Sequence, residues 1–276
     1  MELHWIETIL YGLISGIAQL LPISSTAHKA IMLKLFGCAQ DVPLVRLFAH
    51  IGCLAALLLY LRGHLTVLSK QAALKRIPPR RRKRFPDPRH ISELALLKMA
   101  VVPVVIACLF YPVTIKWMGS LYLIAIFSVI NGVVLLLPSR VASGNKDARG
   151  TSLLDRLLIG ISAMLSVLPG VSLIGAITSV AVARGAEHEH AYRWGSLLLL
   201  PTMAAYTLWD AYFLLTAGAA ITFLSFLAAL LAGVAAFGGT WIAVAWLYAR
   251  CQKSSIGGFG YYSMGAALFA FILYLI

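Results

Sequence analysis

The sequence predicts an all-α integral membrane protein with inverted repeats, two re-entrant broken helical pairs and about six full transmembrane spans. Of its 276 residues, 61% are hydrophobic and only 12% are charged, whereas soluble domains carry about 25% charged residues. Proline-containing polar breaks also interrupt two short apolar segments, one in each half of the chain. Finally, the basic residues concentrate in one stretch between apolar segments, as in cytoplasmic loops of membrane proteins.

The formal net charge of +13 does not indicate nucleic-acid binding. It arises from 23 basic and 10 acidic residues, and most of the basic excess lies in the segment 63–90 and its borders. We therefore expect no nucleic-acid partner and assign 63–90 to the cytoplasm. The four cysteines are scattered through mostly apolar sequence, so we expect small core residues rather than disulfide partners or metal ligands.

The first broken pair covers 5–37, with apolar segments at 5–21 and 23–37. Pro22 removes a backbone donor and disfavours helix at the preceding residue. Three hydroxyls and an imidazole follow it, from Ser24 to His28. At membrane depth such a break is tolerated only inside protein or beside a wet cavity. A helix N-terminus at Ser24 or Ser25 would attract anions, so we expect a ligand here.

A second broken pair, 153–184, is interrupted by a Pro169–Ser172 break and enters from the opposite side by the charge pattern. Interrupted segments in corresponding positions indicate inverted repeats with a binding site where the breaks meet. We assign 1–118 and 119–276 to the two repeats of a single membrane domain, with both termini outside. The predicted spans are 44–62, 92–112 (with a kink or break at Pro103), 119–138, 194–215, 220–249 and 258–276. The pair Gly12 and Gly16 predicts close helix packing.

The polar residues of the breaks allow two kinds of chemistry. Serine with histidine can act as nucleophile and base, but Ser and Thr also commonly satisfy broken helix ends. Asp210 lies late in a span and is therefore a functional candidate as an intramembrane carboxylate, with a solvated carboxylate near the outer rim as the alternative. The sequence Glu187–His190 resembles a metal site, although its place beside Arg184 and Arg193 favours a solvated cluster of ion pairs.

The chain resembles the bacterial undecaprenyl-diphosphate phosphatases of the bacitracin-resistance type. The similarity rests on LPISSTAH at 21–28, PGVS at 169–172, the basic first loop and the LLLLPTMAAYTLWD run that ends at Asp210. It implies an inverted-repeat fold in the bacterial cytoplasmic membrane and a polyprenyl diphosphate lipid bound at the breaks. The family's reaction releases phosphate and regenerates the monophosphate carrier for cell-wall synthesis. Ser25 and His28 match family active-site positions, and Ser172 matches the serine that opens the family's second motif.

The chain departs from the family pattern at residues that the chemistry needs. The family places an acidic residue or Gln, and then a Glu, where this chain has Ser15 and Gln19, one helical turn apart. A carboxylate there could bind a divalent cation or act as a base. Leu173 stands where the family has an arginine, which would clamp phosphate in a bidentate manner.

Two functions remain open, besides a purely structural subunit that binds no ligand. The first is an active polyprenyl-diphosphate phosphatase with Ser25 and His28 as catalytic residues and, if it hydrolyses, a divalent cation such as Mg²⁺ or Ca²⁺. The second, which the residues favour, is a divergent homologue that binds or translocates a polyprenyl phosphate lipid with little or no hydrolysis. Membrane lipid is the expected partner, and a homodimer is left open. The candidate ligand-binding residues are Gln19, Ser24, Ser25, Thr26, His28, Lys29 and Ser172.

Overall fold

The structure is a computed structural model that describes residues 4–38, 42–81, 85–140, 144–218, 221–251 and 256–276. All named secondary-structure elements of these residues are helices. The α-helices are α1 Trp5–Leu20, α2 Ser25–Leu35, α3 Pro43–Arg76, α4 Pro88–Leu109, α5 Tyr111–Met118, α6 Leu121–Leu136, α7 Leu153–Ser162, α8 Leu173–Ala183, α9 His188–Ala217, α10 Phe223–Cys251 and α11 Gly258–Leu275. Among the described residues, six helices are long and apolar enough to cross a membrane: α3, α4, α6, α9, α10 and α11. The protein is therefore a multi-pass membrane protein.

Both predicted breaks are present. Helix α1 ends at Leu20 and α2 starts at Ser25, so the backbone around Pro22 is extended. In the second pair, α7 passes into a 3₁₀ segment, Ala163–Val167, before the chain opens and α8 begins at Leu173. Each of α2 and α8 starts with a serine cap, Ser24 and Ser172, whose hydroxyl accepts a backbone N–H of the first turn. Such caps satisfy donors that a broken helix would otherwise leave unpaired.

Gly12 and Gly16 bring α1 against α10, as predicted for close packing. A side chain at Gly12 would collide with the backbone carbonyl of Ala232, and one at Gly16 with that of Ala236. The Thr240 hydroxyl donates to the Gly16 carbonyl at 3.3 Å across the same contact. Small residues let the backbones approach until dispersion contacts stabilise the helix pair.

The predicted basic loop 63–90 is partly helical, which corrects its assignment as a loop. Helix α3 continues to Arg76 because the sequence after Arg62 is rich in Leu, Ala, Lys and Gln and has no proline before Pro78. These residues favour helix. Residues 82–84 of the basic run lie outside the described part of the chain. Pro103 likewise lies inside a continuous α4, so it does not end that helix.

The helices repeat in order, since each broken pair precedes three long apolar helices. The first half contains α3, α4 and α6, and the second contains α9, α10 and α11. Packing repeats as well: α1 packs on α10 and α7 on α4, while α3 packs on α10 and α9 on α4. We infer from this order that the repeats divide between 140 and 152 rather than after 118. The inverted symmetry itself stays a prediction.

Ion pairs cluster at the end of the bundle that carries the basic segment. The Asp155 carboxylate caps its own helix through the Ser152 N–H and accepts from Arg184 Nε at 2.6 Å. Burial acts to raise the pKa of Asp155, but these hydrogen bonds and the Arg184 charge hold it below its usual range. This pair ties the start of α7 to the end of α8.

Candidate functional site

The two breaks meet in the interior and hydrogen-bond to each other. The Gly170 N–H donates to Ser24 Oγ at 3.1 Å, and Ser172 Oγ donates to the Leu21 carbonyl at 3.4 Å. The Tyr192 hydroxyl donates to the Leu20 carbonyl at 2.8 Å. Backbone groups released by each break are therefore paired by the opposite break and by a neighbouring helix, as a buried interruption requires.

The hydroxyls of Ser24 and Ser172 are already occupied in the hydrogen bonds that join the two breaks. Ser24 Oγ also accepts from the Ala27 N–H and hydrogen-bonds with Thr26 Oγ1 at 2.8 Å. The Ser172 N–H donates to Asn131 Oδ1 at 2.9 Å, and the amide of Asn131 donates to Ser263. In this arrangement the two serines shape the site, and Asn131 fixes the second break against α6 and α11.

A polar cavity of about 30 Å³ lies where the breaks meet. Its walls include Gln19, Ser25, Thr26, Lys29 and Ser172, all of which the sequence singled out. Ser25 Oγ is buried and has no hydrogen-bond partner among the residues that the structure describes. Lys29 is also buried, and its ammonium lies 5.8 Å from the centroid of the Tyr11 ring. The cavity therefore combines an unengaged hydroxyl with a positive charge.

A buried charged cluster borders this cavity, and sequence reasoning found only one of its members. Asp210 Oδ1 accepts from Arg46 Nε at 2.7 Å and from the Tyr111 hydroxyl at 3.0 Å, and Asp210 Oδ2 is 2.6 Å from His50 Nδ1. His50, Tyr111 and Tyr206 line the cavity itself. Charged residues inside a hydrophobic span indicate function, so Arg46 and His50 within span 44–62 carried a usable signal.

His28 lies apart from Ser25 and faces a different space. Its Nδ1 donates to the Ser24 carbonyl at 2.6 Å, and its Nε2 is 2.7 Å from the Tyr262 hydroxyl. The two rings stack at 5.6 Å. Because both nitrogens have these partners and Ser25 Oγ has none, the expected serine–histidine pair is not formed in this conformation.

An apolar groove of about 540 Å³ runs between α1, α10 and α11, with His28 and Tyr262 on its wall. Ala18 and Ile23 line both the groove and the polar cavity, so the two spaces adjoin at the first break. The other groove residues are Ile14, Ile17, Leu21, Trp246, Leu247, Arg250, Ile256, Gly258 and Phe259. An oily channel that ends at a polar, cationic pocket suits an amphiphile with an anionic head.

The residues at the family's acidic and arginine positions do not fit a divalent cation. Ser15 is buried with no hydrogen-bond partner, and Gln19 offers a neutral amide to a cavity that also contains Lys29. Mg²⁺ and Ca²⁺ need carboxylate oxygens to offset their charge. Leu173 is buried and lines the same cavity, so the phosphate clamp of an arginine is absent there.

The Glu187–His190 sequence forms local ion pairs at the start of α9. Glu189 Oε1 is 3.4 Å from Arg193 Nη1, and Glu187 Oε2 is 3.4 Å from His190 Nδ1. Among the described residues, no group of three or more His, Cys, Asp or Glu side chains is placed to hold a metal ion. Cys38, Cys53 and Cys108 are buried, as predicted for core residues.

Fold and site together define a polytopic membrane protein whose two broken helical pairs enclose a cationic pocket next to an apolar groove. A family model described as bacitracin resistance protein BacA matches residues 8–269. The chain belongs to that family, which confirms the resemblance seen in its motifs.

Several curated relatives named undecaprenyl-diphosphatase are similar over most of their length. The protein of Methanobrevibacter smithii is 26% identical over 276 residues, covering 97% of this chain and 96% of the relative. That of Carboxydothermus hydrogenoformans is 25% identical over 256 residues, covering 93% and 92%. That of Methanococcus maripaludis strain C7 is 28% identical over 196 residues, covering 71% and 74%.

Proposed function

We propose that this protein binds a polyprenyl phosphate or diphosphate lipid, with the phosphorylated head in the polar cavity and the prenyl chain in the apolar groove. The observation that carries the proposal is the junction of the two spaces at Ala18 and Ile23. A lipid threaded through this junction buries its chain against aliphatic and aromatic side chains, which is favourable by about 25 cal/mol per Å² of apolar surface. The names of the relatives support the same lipid class.

The cavity of about 30 Å³ has room for one or two waters, so the head group would widen it on entry and would then be held by Lys29 and Ser25. The Lys29 ammonium supplies a charge-assisted hydrogen bond to phosphate, which is about twice as strong as a neutral one. The Ser25 hydroxyl has no protein partner to give up, so binding costs it no existing hydrogen bond. On binding, the phosphate oxygens would exchange hydrogen bonds from water for hydrogen bonds from these two fixed donors.

Hydrolysis by the family's route is disfavoured in this chain. Ser15, Gln19 and Leu173 stand where the family uses acidic groups and an arginine. Loss of one transition-state donor such as that arginine costs roughly 2.7–4 kcal/mol. The carboxylates that would bind a cation or act as a base are missing as well, so that route is left with little turnover. Binding or translocation of the carrier lipid is therefore the main function proposed. Hydrolysis is the second candidate, and the unengaged Ser25 hydroxyl is the observation in its favour.

The site is proposed to face the outside of the cytoplasmic membrane. His50 lies near the start of α3, and the basic residues that follow it on this helix begin 12 residues further on, at Arg62. At 1.5 Å per residue this separates them by about 18 Å, more than half of the roughly 30 Å hydrocarbon core of a bilayer. With the basic end in the cytoplasm, the cavity lies toward the outer leaflet.

A binding measurement tests the proposed function directly. Purified protein in nanodiscs should bind undecaprenyl phosphate and undecaprenyl diphosphate but not undecaprenol, which lacks the charged head. Lys29→Met should weaken binding at least tenfold. The exposed Lys34 of the same helix provides a matched control, because Lys34→Met should leave binding unchanged. Equal affinity for undecaprenol, or no effect of Lys29→Met, would overturn the proposal.

A restoration experiment then tests the statement about hydrolysis. The triple variant Ser15→Glu, Gln19→Glu, Leu173→Arg rebuilds the family pattern, and with Mg²⁺ it should release phosphate from undecaprenyl diphosphate faster than the native chain by at least a hundredfold. A native chain that already turns over as fast as the triple variant would show that these three positions do not limit hydrolysis.

Flux of prenyl phosphate in liposomes measures translocation.

A further inference from the structure

We infer that His50, positioned by Asp210, is the proton acceptor for the Ser25 hydroxyl in this site, which gives the protein a hydrolytic route independent of the family's acidic positions. This inference rests on the proposed function, since the lipid's diphosphate must first occupy the cavity. Ser25 and His50 both line that cavity of about 30 Å³, although α2 and α3 carry them from different parts of the chain.

The orientation of His50 follows from its contact with Asp210. Oδ2 of the carboxylate accepts a hydrogen bond, so the proton of a neutral His50 lies on Nδ1, which is 2.6 Å away. Nε2 then carries the lone pair and lies on the opposite edge of the ring. A carboxylate that fixes the tautomer in this way and stabilises the imidazolium is the recurring arrangement of serine nucleophiles.

Asp210 is itself held as an anion. The guanidinium of Arg46 donates to Oδ1 at 2.7 Å, and the Tyr111 hydroxyl donates to the same oxygen at 3.0 Å. Both Asp210 and His50 are almost fully buried, at 0% and 2% exposure. In such surroundings charge–charge and hydrogen-bond interactions are stronger than in water. The charged or titratable groups around His50 are Lys29 on α2, Arg46 on α3, Tyr111 on α5, and Tyr206 and Asp210 on α9.

His28 does not offer this role in the same conformation, because its two nitrogens bond Ser24 and Tyr262. Catalytic hydrogen bonds are often long in a ligand-free site and tighten once the substrate binds. The Ser25 hydroxyl lines the same cavity as His50 and, within the described part of the chain, has no hydrogen bond to give up. Lys29 would offset the charge of the diphosphate during the reaction.

The step balances without a metal or other co-reactant. The Ser25 Oγ–H proton moves to His50 Nε2 as Oγ bonds to the terminal phosphorus. The bridging P–O bond breaks, and its electron pair leaves on the polyprenyl monophosphate, which takes the proton from His50. Water then attacks the phosphoserine with His50 again accepting a proton, the Oγ–P bond breaks, and His50 returns the proton to Ser25. The products are inorganic phosphate and the monophosphate lipid.

Phosphate release from undecaprenyl diphosphate, measured on the purified full chain, tests this inference. His50→Gln should lower kcat at least a hundredfold while KM changes less than threefold, as expected for a lost proton acceptor. The matched control is His64→Gln, on the same helix but paired with Glu93 far from the cavity, and it should retain the native rate. Asp210→Asn should also lower kcat, with partial rescue by Asp210→Glu.

Ser25→Ala provides a variant that should fold normally, because the hydroxyl it removes has no partner. It should abolish turnover, and acid-quenched native protein should contain phosphate on Ser25 by mass spectrometry. Turnover that survives Ser25→Ala or His50→Gln would overturn the inference, as would lipid binding without measurable phosphate release. In the last case the proposed binding function stands, whereas a failure to bind the lipid defeats the proposed function itself.

Discussion

The hydroxyl of Ser24 accepts a hydrogen bond from the backbone N–H of Gly170 at 3.1 Å, although 146 residues separate them. One is the cap of α2 and the other belongs to the second break. Through this bond and its counterpart from Ser172 to Leu21, each half of the chain supplies a hydrogen-bond partner that the broken pair of the other half needs. Neither broken pair has all of its backbone partners alone, so the cavity exists only when both halves are folded.

Ser24→Ala should destabilise the protein by about 1–3 kcal/mol, because it leaves the buried N–H of Gly170 without an acceptor. Unfolding in detergent, followed by circular dichroism, measures this. Ser120→Ala is the control: Ser120 also caps a helix, α6, where its hydroxyl accepts from the Leu123 N–H of the same helix. Equal destabilisation by both substitutions would show that the cross-bond adds nothing beyond an ordinary cap.

Gly170→Ala should prevent correct folding or reduce the folded yield severely. Its φ of +127° is one that side chains rarely adopt, and an added Cβ would lie 2.8 Å from the Ser128 nitrogen and 3.0 Å from the Ile124 carbonyl oxygen. Size-exclusion profiles of the solubilised protein report the folded fraction. Gly119→Ala should be tolerated, because an added Cβ would meet the Lys116 carbonyl at 3.6 Å, an ordinary van der Waals contact, and nothing nearer in the described ranges. A well-folded Gly170→Ala protein would contradict this picture of the second break.

Asp155→Asn should destabilise the protein at neutral pH by about 1.5–3 kcal/mol, the range for hydrogen bonds to charged groups. The pKa of Asp155 is lowered in the folded state, so its contribution is complete above its unfolded pKa of about 3.9. It is lost as the pH falls below that value through the lower folded pKa. Unfolding free energies of native and variant proteins should therefore converge in acid. A difference that is independent of pH would mean that the charge of Asp155 does not matter.

Removing Asp210 alone should cost about 3–5 kcal/mol, because Asp210→Leu removes the buried carboxylate to which both Arg46 and His50 are bonded. The double variant Arg46→Met, Asp210→Leu should recover part of that stability, since it removes both charges together. A double-mutant cycle on unfolding free energies measures the coupling. Additive losses would show that Arg46 and Asp210 are not energetically coupled.

Local sequence signals were sufficient for the broken pairs but not for the contacts between them. Pro22 and Pro169, followed by serines, identified both interruptions, because proline and capping act over a few residues. The Arg46–Asp210 and His50–Asp210 contacts join residues 160 or more positions apart. Nothing local fixes which buried charges pair, since that depends on how α3 and α9 are rotated against each other.

The Ser25–His28 pair illustrates the same limit at short range. Spacing by three suggests neighbours on one helix face, yet His28 turns to Tyr262 on α11 and Ser25 faces the cavity with His50. The boundary of the basic segment differed for another reason. Charge indicates the side of the membrane, whereas helix propensity continues α3 beyond the bilayer to Arg76.

The sequence by itself determined that the chain is a membrane protein with two polar breaks, because hydrophobicity, proline and capping are properties of short segments. The motifs at 21–28 and 169–172 likewise indicated its family. Only the tertiary structure decided that the Ser24 and Ser172 hydroxyls bond the opposite break, and that Ser25 shares a cavity with His50, which is bonded to Asp210. Those roles depend on packing between distant helices, which places charged groups together only after both halves have folded.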